Sequence, residues 1–157
     1  RHQEGIAQMQ DSLKMQRAIG SELDRPYCLA LLAEALAKAG QVEGGLTALA
    51  EALEAAQSTG ERYYEAELHR LQGELLLDQG AGRAEAKACF ARALEMARRQ
   101  GARSLELRAA LSLARLYYNR GSDEEARDLL APVYAWFTEG LDTRDLLDSK
   151  DLLDRLE

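Results

Sequence analysis

Residues 61–101 read ERYYEAELHRLQGELLLDQGAGRAEAKACFARALEMARRQG, two runs divided at Gly80 and closed at Gly101. In the second run Ala86, Phe90, Ala93 and Ala97 recur at three- and four-residue steps, the spacing that gathers side chains on one face of an α-helix. Glycine is favoured just past a helix end, where the chain often turns through a left-handed conformation that other residues enter at a steric cost. The stretch is therefore predicted to be a helix, a turn, a second helix and a second turn.

The same punctuation runs outward in both directions. Glycines stand at 20, 40, 60, 80, 101, 121 and 140, so each interval reads as one helix and one turn. The intervals alternate in kind, which makes the unit about 40 residues. Aligning Gly40, Gly80 and Gly121 places the small residues Ala33, Gly73 and Ala114 at one position. Beyond the turn the alignment pairs Gly45, Ala86 and Ala126, then Leu49, Phe90 and Leu130, then Ala52, Ala93 and Val133. Gly5, Met9 and Ser12 fit the second half of the same unit, so the chain opens on a half repeat and is expected to have been cut from a longer protein. Leu46, Leu49, Leu53 and Ala56, and Leu105, Ala109, Leu113 and Leu116, repeat the helical spacing. Helices are predicted at 3–19, 22–39, 42–59, 61–79, 83–100, 102–120, 123–138 and 143–156. The predicted fold is all-α, a right-handed α-solenoid of antiparallel helix pairs. It is one domain over 1–157, with a half repeat 1–20, repeats 21–60, 61–101 and 102–140, and a capping helix 142–157.

Composition agrees. Hydrophobic residues are 46% of the chain, but Val and Ile occur only at Val42, Val133, Ile6 and Ile19, so the apolar content is mostly the helix formers Ala and Leu. The net charge of −7, from 20 basic and 27 acidic side chains, opposes a nucleic-acid partner, which needs clustered cations. The longest apolar run, Tyr27 to Ala33, is far short of the ~20 residues that cross a bilayer. No membrane partner and a cytoplasmic location are expected, with Cys28 and Cys89 as reduced packing thiols.

The small residue before the turn, and the Ala-large-Ala series after it, resemble the tetratricopeptide pattern at its positions 8, 20, 24 and 27. The unit is longer than the usual repeat of ~34 residues, which points to extended helices of a kind found in bacterial signalling proteins. The stretches 61–77 (ERYYEAELHRLQGELLL), 97–116 (ARRQGARSLELRAALSLARL) and 129–147 (LLAPVYAWFTEGLDTRDLL) are similar to the C-terminal helical-repeat region of large bacterial proteins. Those proteins join a class III nucleotide cyclase domain or a regulator domain to a signalling ATPase. The resemblance implies a sensing or scaffolding array, not the catalytic part, and no GxxxxGK[ST] phosphate loop is present.

By the same resemblance, positions 2, 5, 9, 12 and 13 of each repeat face a concave surface. These are Tyr27, Ala30, Glu34, Ala37 and Lys38, then Glu67, Arg70, Glu74, Leu77 and Asp78, then Arg108, Leu111, Arg115, Tyr118 and Asn119. The candidate partner-binding set is Tyr27, Glu34, Lys38, Glu67, Arg70, Glu74, Arg108, Arg115 and Tyr118, although solvated ion pairs explain the charges equally well. The expected function is docking of protein or peptide segments, including other domains of the parent chain; the alternative is a sensor of a small ligand or signal peptide. No catalytic residue, cofactor or metal site is expected.

Several residues carry a sharper and a plainer reading. His69 sits among Glu65, Glu67 and Glu74, but without a second histidine it reads as a polar residue of an ion-rich helix rather than a metal ligand. Tyr64 and Tyr117 are expected in the core, and Tyr63 and Tyr118 toward a groove. Trp136 and Phe137 are expected beneath the final helix, and Pro132 is expected to bend or shorten its own. The segment 142–157 has six acidic residues, Asp142, Asp145, Asp148, Asp151, Asp154 and Glu157, and reads as a solvating cap with Leu146, Leu153 and Leu156 inward. Ile6, Met9, Leu13 and Ile19 lack an upstream partner and are expected to stay partly exposed in a monomer, so the isolated chain is expected to self-associate or fray there.

Overall fold

The computed structural model describes residues 2–18, 24–60, 62–80 and 82–157. Those residues form eight helices and no strand: α1 (His2–Ala18), α2 (Arg25–Lys38), α3 (Val42–Thr59), α4 (Glu65–Asp78), α5 (Arg83–Gln100), α6 (Arg103–Asn119), α7 (Asp123–Ala135) and α8 (Arg144–Arg155). Each matches a predicted helix. The largest displacement is at α4, which starts at Glu65 because Tyr63 and Tyr64 belong to the turn before it.

The glycine turns have the expected backbone. Gly40 and Gly121 have φ of +81° and +84°, and the next residues complete the turns, with Gln41 N donating to Leu36 O at 2.8 Å and Ser122 N to Tyr117 O at 2.9 Å. This closure satisfies carbonyls that a helix end leaves unpaired, and only glycine enters it without steric cost. Gly60, Gly80, Gly101 and Gly140 also have positive φ, while Gly20 lies outside the described residues.

Short turns make consecutive helices antiparallel neighbours, and the contacts sort them into two layers. The helices α2, α4, α6 and α8 touch in succession, and each of α3, α5 and α7 packs against the inner helices before and after it. One buried cluster runs from α1 to α4 around Leu29, Leu49 and Leu68, and a second from α5 to α8 around Phe90 and Leu130. The small positions let these layers close. A Cβ on Gly73 would lie 2.6 Å from Phe90 Cε1 and 3.1 Å from Ala86 O, and one on Gly45 would lie 2.7 Å from Leu75 Cδ2 and 3.0 Å from Ala33 O. No helix among the described residues is long and apolar enough to cross a membrane.

Three expectations need correction. Ile6 and Leu13 do not stay exposed: both are buried against α2, with Met9 half-buried beside them, and the Arg25 guanidinium donates to Leu13 O at 3.3 Å and to Glu51. The half repeat thus finds cover within the chain, although Met15 remains 68% exposed; Ile19 lies outside the described residues. Trp136 is 53% exposed rather than beneath α8, because α7 stops at Ala135, three residues past Pro132, and Trp136 N turns back onto Val133 O. Its ring is covered instead by the Arg103 guanidinium at 4.8 Å, while Phe137 packs on the core. At the C-terminal end Leu152, not among the expected inward residues, is fully buried with Leu146 on α8 and Leu156 just after it, while Leu153 is only half-buried against the core. Ser149 is also enclosed, its hydroxyl donating to Asp145 O at 2.7 Å.

Candidate functional site

On each inner helix, side chains three, four and seven residues apart share one face. Tyr27, Leu31 and Glu34 do so on α2, Glu67 and Arg70 on α4, and Arg108, Leu111, Ser112 and Arg115 on α6. With Tyr64 from the turn before α4, and Asp145 and Asp148 from α8, they line one cleft of about 370 Å³ that opens to solvent.

Ion pairs cross the floor of this cleft from helix to helix. Glu67, only 2% exposed, accepts from Arg70 Nε at 2.9 Å, from Arg70 Nη2 at 2.6 Å and from Arg108 Nη1 at 3.3 Å. Arg108 Nε donates to Asp145 Oδ2 at 2.7 Å, Arg70 Nη1 reaches Ser112 Oγ at 3.3 Å, and Arg115 pairs with Asp148 at 3.4 Å. The result is a ladder linking α4, α6 and α8. A buried carboxylate without such partners would be strongly destabilising, so Glu67 and its two arginines act as one unit. The Asp145 hydrogen bond holds Arg108 in its charged form, raising its pKa. Burial pulls Arg70 the other way, but the Glu67 hydrogen bond and charge outweigh it and leave the pKa raised.

The α2 end is aromatic. Tyr27 and Tyr64 meet edge to face, centroids 5.4 Å apart and planes at 74°. Tyr64 is half-buried, and burial, followed by the charge of Glu67, pushes its pKa up to about 12. Glu34 is half-buried and has no ion-pair partner among the described residues.

Of the candidate residues, Tyr27, Glu34, Glu67, Arg70, Arg108 and Arg115 come together in this cleft. Glu74 lies beside it, 3.6 Å from Arg70, and Lys38 is exposed at the end of α2. Tyr118 is half-buried and lines a second recess with Arg115, Asn119, Asp148 and Arg155. Ala30 is fully buried and Leu111 nearly so, Ala37 and Leu77 are half-buried, and Asp78 is exposed. The tyrosine assignments divide differently from expectation. Tyr64 lines the cleft as well as packing on the core, and Tyr63, 59% exposed, does not line the cleft but donates from its hydroxyl to Asp24 Oδ1 at 3.4 Å. Tyr117 packs on the core beneath Lys87 and Arg120.

Sequence reasoning missed Leu31, Tyr64, Ser112, Asp145 and Asp148 as cleft residues. The last two carried a signal: α8 follows Gly140 as α6 follows Gly101, so it takes the place of the next first helix and turns two carboxylates onto α6. They are ion-pair partners as well as solvating charges.

His69 is 9% exposed, 3.9 Å from Glu65 and near Gln72 and Arg92; burial lowers its pKa first, and Arg92 adds to the shift. No cluster of potential metal ligands occurs among the described residues. Cys28 and Cys89 are free and half-buried, and burial raises the Cys89 thiol pKa.

No protein-family model matches the chain. An uncharacterized protein of Rhizobium meliloti (strain 1021) is 34% identical over 112 residues, which make up 71% of this chain and 11% of that protein. The matched part is thus about a tenth of the curated relative's length. Among solved structures, a Podosopora anserina protein described as a candidate kinesin light chain with nearly identical TPR-like repeats aligns over 99% of this chain and 77% of its own, with a TM-score of 0.72 and 21% identity. A variant of that protein aligns over 99% and 76%, with a TM-score of 0.73 and 21% identity. Two layers of helices, left-handed glycine turns and close superposition on these arrays give the chain the tetratricopeptide-like, all-α solenoid fold.

Proposed function

We propose that the chain is a protein-interaction module whose cleft docks a peptide, a helix or a neighbouring domain, and that it serves as the repeat region of a larger bacterial signalling protein. The observation that carries the docking reading is the shape and chemistry of the cleft. It spans four successive inner helices, opens to solvent, and joins exposed Tyr27 and Leu31 to a preorganised array of arginines and carboxylates. Such a surface suits an extended or helical segment, which is held by apolar anchors and oriented by polar groups. A small-ligand sensor would be better served by an enclosed pocket. The match to a short part of a much longer Rhizobium meliloti protein supports the multidomain setting.

Selection of a random displayed peptide library on the 157-residue chain tests the docking reading. Selected peptides are expected to lose binding to Tyr27→Ser and Leu31→Ser and to keep it for Met15→Ser, an exposed position on α1. Peptides indifferent to the first two variants would place docking elsewhere. Stabilisation by a single metabolite, with no peptide bound, would favour the sensor.

A further inference from the structure

The cleft is not uniform along its length. Toward α6 and α8 every arginine is already met: Arg108 by Glu67 and Asp145, Arg115 by Asp148, and Arg70 by Glu67 and Glu74. An incoming carboxylate there must displace a resident one and leave it unpaired. At the α2 end the balance reverses. Four carboxylates, Glu34, Glu67, Asp145 and Asp148, line the cleft against three arginines, and the one without an ion-pair partner among the described residues is Glu34. It shares the cleft with Tyr27, 43% exposed, Leu31, 40% exposed, and Tyr64, set edge-on to Tyr27.

An aromatic face attracts a cation through its quadrupole. A nearby carboxylate offers acceptors to the planar fork of a guanidinium, which stacks on aromatic rings and is weakly hydrated, so it enters such a site at lower desolvation cost than an ammonium. The exposed Leu31 supplies apolar surface for the methylene stem. Arg108 also lines the cleft and would repel an incoming cation, but its charge is met by Glu67 and Asp145.

We infer that the α2 end of the cleft receives an arginine side chain of a docked protein segment, with the guanidinium over Tyr27 and its charge matched by Glu34. This rests on the docking reading above and names the chemistry of the segment. It is tested with synthetic versions of the peptides selected on the intact chain, titrated against the unaltered protein, Glu34→Gln and Glu43→Gln. Glu43 is exposed on α3 and does not line the cleft, so its replacement removes the same charge elsewhere.

The selected peptides are expected to share an arginine. Replacing it with citrulline, or Glu34 with Gln, weakens binding about tenfold, and the two changes together cost little more than either alone. Glu43→Gln changes affinity by less than about twofold. Cleft-binding peptides, defined by loss on Tyr27→Ser, that lack a cation or bind Glu34→Gln equally well would overturn the arginine assignment while leaving the docking reading in place. If no peptide responds to Tyr27→Ser or Leu31→Ser, both fall. The citrulline comparison uses unaltered protein, so it decides the matter even if a variant is poorly folded.

Discussion

Gly73 lies against the Phe90 ring and the Ala86 carbonyl, so a side chain there must push a fully buried aromatic or the backbone of α5. Overpacking of this kind costs about 1–3 kcal/mol, which exceeds the ~1 kcal/mol that replacing a helical glycine with alanine returns. Gly73→Leu is expected to lower the melting temperature clearly, while Ala55→Leu, at a half-buried position beside a shallow recess, changes it little. Equal melting temperatures for the two variants would remove the close contact as the reason for this glycine. His69 gives a second residue-scale expectation. Burial first, and Arg92 next, hold its folded pKa below the ordinary 6.5, so the unfolded chain binds that proton more readily. The resulting stability is complete above pH 6.5 and is lost as pH falls below it. Denaturant midpoints followed from about pH 7.5 to about pH 5.5 should decline more steeply for the unaltered chain than for His69→Gln; parallel declines would mean that His69 does not carry the effect.

At the scale of elements, α8 depends on both apolar and charged contacts. Leu146, Leu152 and Leu156 are buried, and Asp145 and Asp148 reach Arg108 and Arg115 on α6. Arg108 is 40% exposed, so its pair with Asp145 is partly screened, and a coupling of about 0.5–1 kcal/mol is expected from a double-mutant cycle. Arg108→Gln should accordingly speed amide exchange in α8 more than in α5, and exchange accelerated equally in both would point to a global loss instead. The helix ends themselves are legible in the amino-acid sequence. Gly40, Gly60, Gly80, Gly101, Gly121 and Gly140 all adopt the positive φ that their spacing implies, because a turn closure is a local event between near neighbours along the chain. The stop of α7 at Ala135 is less legible: Pro132 announces a disruption, but its place depends on which carbonyls the following turn uses.

For the whole molecule, a layered array held by nearest neighbours should soften regionally before it unfolds completely. Phe90 is fully buried in the α5–α8 cluster and packs against Gly73 of α4. Phe90→Ala is expected to cost about 3–5 kcal/mol. Amide protection should be lost in α4 to α7 while α2 and α3, whose cluster centres on Leu29 and Leu49, hold longer. Simultaneous loss along the chain would show a single cooperative unit instead.

Periodicity and glycine spacing by themselves determined the helices, their pairing and the small residues at close contacts, because each follows from backbone geometry or from a contact repeated every unit. The resemblance to the tetratricopeptide pattern, laid on that spacing, further implied that Tyr27, Glu34, Glu67, Arg70, Arg108 and Arg115 face inward. Only the tertiary structure decided what those residues meet. Glu67 faces two arginines, Arg108 takes its closest partner from α8, Glu34 meets no cation among the described residues, and Trp136 turns outward while Ile6 and Leu13 turn in. The reason is that a repeat pattern specifies which face of a helix points inward, whereas burial and ion pairing depend on the neighbouring helix, whose matching residues lie about 40 positions away in sequence.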